Sequence, residues 1–145
     1  MARPTAVTSQ FDHQIYRQAD DGYGRPRYYY AADLVRWASK NAELCAIKLD
    51  VERALHMLEE GMVNPQHVAS SLKNPNTNPI VLCLRAVGGS GDQIVDGNHR
   101  YVAACYRYEI TREEKLIPAY LVEPKHWTRF VVPDDLVPSL GLRDP

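Results

Sequence analysis

The chain has 145 residues, and its 17 Lys and Arg nearly balance its 18 Asp and Glu, which gives a formal net charge of -1 at pH 7. A chain of this length is typical of one domain that buries a core without help from a metal or a disulfide. The balanced charge gives no overall attraction to nucleic acid or to an anionic membrane, and no apolar run reaches the roughly 18 residues of a membrane span.

The three cysteines, Cys45, Cys83 and Cys105, lie among apolar residues at no spacing typical of a metal site. Their odd number and apolar surroundings indicate buried, reduced thiols. The histidines show no mutual metal-ligand spacing either. Since the N-terminus also lacks the apolar core of a signal peptide, we expect a cytoplasmic protein with no membrane partner and no protein-held metal.

Residues 1–43 are predicted to form an N-terminal extension with one helix. Apolar residues in its stretch "QADDGYGRPRYYY" show no regular spacing typical of a helix or a strand. The aromatic end of this stretch, Tyr28 to Tyr30, has two interpretations. We favour packing of the tyrosines on the domain or on a partner, with Arg25 and Arg27 solvated. The alternative is a surface for nucleic acid in which the tyrosines stack on bases and the two arginines contact phosphates. The helix of the extension is predicted to be capped by Asp33, with its apolar face formed by Leu34, Trp37 and Ala38.

Residues 44–132 are predicted to form the main domain, which begins with a strand over residues 44–51. Apolar residues at helical spacing then predict a helix that ends at Gly61, namely Val51, Ala54, Leu55 and Leu58. A second helix is predicted where Asn64 caps, Pro65 takes the first helical position and Val63 packs against Val68.

The second half of the domain is predicted from its apolar runs. Residues 80–87 are apolar almost throughout, which is typical of a strand buried on both faces. A turn over residues 88–92, a short strand over 93–95 and a helix follow, with Val102, Cys105 and Tyr106 on the apolar face of that helix. After a last strand over 116–122, Trp127 is predicted to be a packing residue rather than a cover for an adenine ring. Residues 133–145 form a Pro-rich tail.

The order of elements predicts an α+β (mixed α/β) fold, with a small mixed sheet flanked by helices.

The stretch "QIVDGNHRYVAA" (93–104) places donors and an acid where a strand meets a helix. A helix start presents free N–H groups and about half a positive charge, which suits a phosphate. Gly97 lets a ligand approach the backbone, and His99 and Arg100 add donors. Asp96 has three candidate roles: to orient His99, to accept a hydroxyl or to help bind Mg²⁺. The alternative is an Asp-Gly turn with Asn98 as a plain N-cap and a solvated His-Arg pair.

The segment "VDGNHRYVAA" resembles the signature of the ParB/sulfiredoxin superfamily. Its Asp-Gly-Asn-His-Arg is most similar to the Asp-Gly-His-His-Arg of the ParB-like free serine kinases. The likeness extends over about residues 44–125 and includes an acidic pair, Glu59 and Glu60, followed by the Pro-started helix and "NPIVL" (78–82). Asn98 stands where sulfiredoxins carry their cysteine, so we do not expect sulfinic-acid reduction.

The resemblance implies a ParB/sulfiredoxin-like fold and a nucleotide site that takes ATP, ADP or CTP with Mg²⁺. By position, the implied phosphate-binding residues are Gly97, Asn98, His99 and Arg100, and Tyr101 either lines the cleft or packs. The implied catalytic residues are Asp96 and His99, together with Glu59 or Glu60 as a base.

Three functions are consistent with the sequence. The first is a nucleotide-binding domain that hydrolyses a nucleoside triphosphate or transfers a phosphoryl group. The second is a ParB-like nuclease or DNA-binding protein, in which the implied phosphate-binding residues would bind the backbone of DNA or RNA. The third is a non-catalytic regulatory module of a mobile element.

Overall fold

A computed structural model describes residues 15–74, 78–112 and 116–138, and it confirms the predicted α+β class. The strands are β1 (Ile15–Gln18), β2 (Arg27–Tyr30), β3 (Glu43–Lys48), β4 (Ile80–Val87), β5 (Gly91–Asp96) and β6 (Leu116–Val122). The helices are α1 (Ala31–Asn41), α2 (Val51–Glu59), α3 (Pro65–Lys73), α4 (Asn98–Thr111) and α5 (Pro124–Trp127). Two 3₁₀ turns, Thr128–Phe130 and Asp134–Leu136, follow α5. No helix in these ranges combines the length and the apolar character that crossing a membrane requires.

The main sheet has four strands in the order β3-β6-β4-β5. It is mixed, as predicted, because β4 runs parallel to β6 while the other two pairs are antiparallel. In β4, Ile80 and Leu82 face a core shared with α2, α3 and α4, whereas Val81 and Cys83 face a second core shared with α1 and Trp127. Side chains alternate between the faces of a strand, so a strand covered on both faces is apolar throughout, and this prediction for residues 80–87 is confirmed.

Residues 15–30 contain two strands that the spacing of apolar residues in the sequence did not predict. Strands β1 and β2 pair antiparallel in a separate two-stranded sheet. Tyr28, Tyr29 and Tyr30 are all buried: Tyr29 packs in the core with Val81, and the other two pack against Val132. The expected packing of the tyrosines on the domain is therefore confirmed, and these rings are not available to stack on bases. The expectation of a solvated Arg27 is wrong, because its side chain is only 20% exposed and donates to the Ala86 carbonyl at 2.8 Å. Residues 1–14 lie outside the described residues.

Several predicted details differ in the structure. Asp33 lies inside the first turn of α1 rather than capping it, since Tyr30 precedes the helix and provides no side-chain cap. Two residues predicted to lie on apolar helix faces are exposed instead, Leu55 at 51% and Tyr106 at 42%. The buried residues of these helices include Met57 in α2 and Tyr101 in α4. The strand predicted over 44–51 ends at Lys48, because the side chain of Asp50 accepts N–H bonds that begin α2. The strand predicted over 93–95 begins earlier, at Gly91.

Other local predictions are confirmed. The Asn64 side chain accepts a hydrogen bond of 2.8 Å from the Gln66 N–H, with Pro65 in the first turn of α3. Val63 and Val68 are buried in one cluster. Trp127 is a packing residue that donates its indole N–H to the Leu84 carbonyl over 2.9 Å. The tail from residue 139 onward falls outside the described residues.

Candidate functional site

A single glycine connects β5 to α4, and any other residue at this position would be strained. Gly97 has φ 94°, in the left-handed region that disfavours a side chain. A Cβ there would also lie 2.6 Å from Ile80 Cγ2 and 2.8 Å from Arg100 Nη2. The Gly97 carbonyl accepts the first helical hydrogen bond, from the Tyr101 N–H at 2.9 Å. Gly97 therefore sets where α4 begins and lets the Arg100 side chain fold back over the backbone.

The first turn of α4 has no side-chain cap and no acidic residue. The N–H groups of Asn98, His99 and Arg100 therefore have no partner within the helix. Such a turn carries a partial positive charge that favours an anion.

Arg100 is held in a fixed position beside this turn. Its side chain is 18% exposed, and one guanidinium nitrogen donates to the Pro79 carbonyl at 3.0 Å and to Asp96 Oδ2 at 3.1 Å. Its Nε is buried and has no hydrogen-bond partner among the described residues. The guanidinium therefore joins the start of β4 to the end of β5, and Asp96 partly balances its charge.

His99 joins the start of α4 to the start of α3. Its Nε2 accepts a hydrogen bond of 3.0 Å from the Asn64 N–H, so the neutral ring carries its proton on Nδ1. The ring meets that of His67 edge to face, with centroids 5.0 Å apart. Burial and the neighbouring His67 both lower the pKa of His99. At neutral pH the side chain is therefore a neutral N–H donor.

A cavity of about 340 Å³ opens beside these groups. Its lining residues are His67, Ser70, Ser71, Asp96, Gly97, His99 and Arg100. Four predicted site residues, Asp96, Gly97, His99 and Arg100, therefore come together at one cavity. The three α3 residues were not predicted to belong to the site, although their spacing of i, i+3 and i+4 places them on one polar face of a helix.

The other predicted site residues lie elsewhere. The Asn98 side chain is 8% exposed, donates to the Ile94 carbonyl at 3.2 Å and lines a separate cavity of about 510 Å³. Glu60 lines that same cavity, and Glu59 is exposed on α2. Asn98, Glu59 and Glu60 are therefore not among the residues that line the cavity at the α4 start.

Tyr101 is a packing residue in the structure. Its ring is 1% exposed, and its hydroxyl accepts a hydrogen bond of 2.7 Å from the Asp50 N–H. Burial raises the pKa of this hydroxyl. Tyr101 therefore ties α4 to the start of α2 rather than lining a cleft.

We expect Tyr101→Phe to lower the free energy of unfolding by about 1–2 kcal/mol, because the Asp50 N–H loses its acceptor. Binding of any ligand at the α4 start should be unchanged. Urea unfolding measures the first quantity, and Tyr106→Phe, at an exposed position of the same helix, is the matched control. A variant as stable as the wild type with weaker ligand binding would contradict the packing role.

The lowered pKa of His99 predicts a pH dependence of stability. The unfolded chain takes up a proton on this histidine near its ordinary pKa of about 6.5, while the folded chain does so only at lower pH. The contribution of the neutral His99 ring to the free energy of unfolding is therefore present above about pH 6.5 and is lost as the pH falls further. Urea midpoints measured from about pH 7.5 to 5.5 should fall more steeply for the wild type than for His99→Gln. An equal fall of the urea midpoint in the two proteins would contradict the lowered pKa of His99.

None of the three cysteines lines this cavity. Burial raises the pKa of Cys83 to about 12 and that of Cys105 to about 11, so both are protonated thiols at neutral pH. Within the described ranges, no group of three or more His, Cys, Asp or Glu is placed to hold a metal ion. A Mg²⁺ ion carried by a polyphosphate needs only one or two carboxylates from the protein, and Asp96 lines the cavity.

The resemblance to the ParB/sulfiredoxin superfamily thus depends on the residues around Gly97 and on the order of the elements. Neither the fold class nor the geometry of the cavity tests it, and it stays a prediction. Comparisons with protein-family models, curated proteins and solved structures find no match to this chain.

Proposed function

We propose that the chain binds a nucleoside di- or triphosphate through its phosphates at the start of α4. The observation that carries this proposal is the uncapped first turn after Gly97, which borders a cavity that Arg100 and His99 also line. Backbone N–H groups, a guanidinium and a neutral imidazole N–H all donate, and phosphate oxygens accept. Ser70 and Ser71 on α3 also line the cavity, and their hydroxyls are further possible donors to a phosphate.

The size of the cavity suits the phosphates rather than a whole nucleotide. Small-molecule sites usually measure about 300–1,000 Å³, and this one lies at the lower end. An open groove of about 830 Å³, lined by residues 61–67 and His99, adjoins it. His67 and His99 line both spaces, so a nucleoside in the groove would leave its phosphates at the helix start.

The same arrangement supports phosphoryl chemistry. Transfer of a phosphoryl group is catalysed mainly by positioning and by stabilising the charge on its oxygens. The α4 N–H groups and Arg100 would supply that stabilisation, and Asp96 is the carboxylate available in the cavity to orient a water or an acceptor hydroxyl. A Mg²⁺ ion brought in with the nucleotide would add positive charge, with Asp96 as its protein ligand.

The test is a calorimetric titration of the full chain with ATP, ADP and CTP, with and without Mg²⁺. We expect His99→Ala to weaken binding at least about tenfold, because it removes a donor and the link to α3. His126→Ala, at a histidine stacked on Trp37, is the control and should bind as the wild type does. Equal affinity in His99→Ala and the wild type would overturn the site assignment.

Turnover is tested separately from binding. Asp96→Asn should retain the nucleotide but lose release of inorganic phosphate, if this carboxylate orients the attacking oxygen. An unchanged rate in Asp96→Asn would assign that role to another group.

A further inference from the structure

Two serines of α3 lie in the wall of the cavity at the α4 start. Ser70 and Ser71 line it together with His67, which lies one turn earlier on the same face of the helix. Arg100 and Gly97, at the first turn of α4, line the same cavity. These are the groups to which the proposed function assigns the phosphates of a nucleotide. A terminal phosphate bound there would therefore share its cavity with a serine of the chain itself.

Contacts at several points fix α3 beside α4. Near the start of α3, the Asn64 N–H donates to His99 Nε2 at 3.0 Å. Val68, one turn later, is buried in the main core. Near the end of α3, the Arg107 guanidinium donates to the Ser71 carbonyl at 3.4 Å. The two serines are therefore held beside the cavity without any movement of the helix.

The two serines differ in their exposure to water. Ser70 is exposed, whereas Ser71 is half-buried and its carbonyl is bonded to α4. Water competes with a serine hydroxyl for a bound phosphoryl group, and exclusion of water from a site suppresses that side reaction. Ser71 is therefore the better phosphoryl acceptor of the two.

The small volume of the cavity favours an acceptor that belongs to the chain. Its 340 Å³ is at the lower end of the range for small-molecule sites, and the phosphates of a nucleotide would take up much of it. A separate acceptor molecule would have to share the remaining space, whereas Ser71 is already part of the wall. A group held beside its reaction partner reacts as if it were present at a very high concentration.

Asp96 is placed to take the proton of such a hydroxyl. Its Oδ2 accepts a hydrogen bond from Arg100 Nη2 at 3.1 Å, and no described residue donates to its Oδ1. The carboxylate lines the same cavity as Ser71. Because its side chain is 37% exposed, a proton that it takes can pass on to water.

We propose that the chain transfers the terminal phosphoryl group of a bound nucleoside triphosphate to its own Ser71. This inference rests on the proposed function, because it needs the phosphates at the α4 start. The Ser71 Oγ forms a bond to the γ-phosphorus, and the bond from that phosphorus to the β,γ-bridging oxygen breaks. The nucleoside diphosphate leaves with the electron pair of the broken bond, and the hydroxyl proton passes to Asp96. The products are phosphoserine on α3 and a nucleoside diphosphate.

Mass spectrometry of the intact chain after incubation with ATP and Mg²⁺ tests this step. The wild type and the control Ser70→Ala should each gain one phosphoryl group, which peptide sequencing should locate on Ser71. Ser71→Ala should gain at least about tenfold less, because the hydroxyl held in the cavity is lost. Alanine has the highest helix propensity, so both variants should stay folded, as far-UV circular dichroism will check. A phosphoryl group on Ser70 or outside α3, or equal labelling of Ser71→Ala and the wild type, would overturn the proposal.

The dependence on protein concentration tests whether the transfer stays within one chain. Ser71 and the phosphate cavity belong to the same chain, so the rate constant of labelling should be the same at all protein concentrations. A rate constant that rises in proportion to the protein concentration would show transfer between chains and would contradict the inference.

Calorimetric titration with ATP separates a failure of this inference from a failure of the proposed function. A chain that binds ATP at the α4 start but gains no phosphoryl group keeps the proposed function and rules out Ser71 as an acceptor. A chain that binds no nucleotide rules out both.

Discussion

Gly97→Ala is expected to lower the free energy of unfolding by about 2–4 kcal/mol and to abolish measurable nucleotide binding. The left-handed φ of 94° costs an alanine roughly 1–2 kcal/mol. The remainder comes from the new Cβ, which would lie 2.6 Å from Ile80 Cγ2 and 2.8 Å from Arg100 Nη2. Relief of these contacts requires Arg100 or the helix start to move, and both line the proposed phosphate cavity. Urea unfolding and calorimetry measure the two effects.

The matched control for this change is Gly24→Ala. Gly24 has a similar φ of 81°, but a Cβ there would meet no atom within 4 Å. The control should therefore cost about 1–2 kcal/mol from the backbone alone and should bind nucleotide as the wild type does. Equal losses of stability in the two variants would show that close packing around Gly97 is unimportant.

Arg100→Ala has the second largest expected effect. It leaves the Pro79 carbonyl and the Asp96 carboxylate without the donor that now bonds both, which should cost about 1–3 kcal/mol of stability. It also removes the guanidinium from the cavity, so nucleotide affinity should fall about 10- to 100-fold. Arg100→Lys should recover part of the affinity, because an ammonium keeps the positive charge but lacks the planar fork that suits phosphate oxygens.

Arg107→Ala is the control on the same helix. Among the residues that the structure describes, its guanidinium donates only to the Ser71 carbonyl, at 3.4 Å, and Arg107 does not line the cavity. We expect a small change in stability and no change in nucleotide affinity. An Arg100→Ala protein that binds ATP as tightly as the Arg107→Ala protein would contradict the role of Arg100.

Local signals in the sequence predicted much of the main sheet. Strands β4 and β6 are apolar runs of the expected length, and Asn64-Pro65 marks the start of α3 without ambiguity. The short strands β1 and β2 gave no such signal. In β2 three consecutive tyrosines are all buried, the middle one in one apolar cluster and the other two in another. The strand therefore shows no alternation of apolar and polar residues.

The candidate site was predictable only where its residues are neighbours in sequence. Asp96 to Arg100 follow one another, so the turn and its donors could be found from their order. His67, Ser70 and Ser71 reach the cavity through the packing of α3 beside α4, which depends on contacts distant in sequence. Glu60 lines a different cavity. Its position depends on the packing of Ala54 and Met57 of α2 in the core, which also involves contacts distant in sequence.

We propose that the first-turn N–H groups of α4 hold the phosphates of a ligand. A titration of the ¹⁵N-labelled chain, followed through its amide resonances, tests this most directly. Pyrophosphate and ATP should shift the amide signals of Asn98, His99 and Arg100, and adenosine alone should leave them in place. If those three signals stay fixed while ATP shifts others, the α4 start is not the phosphate site.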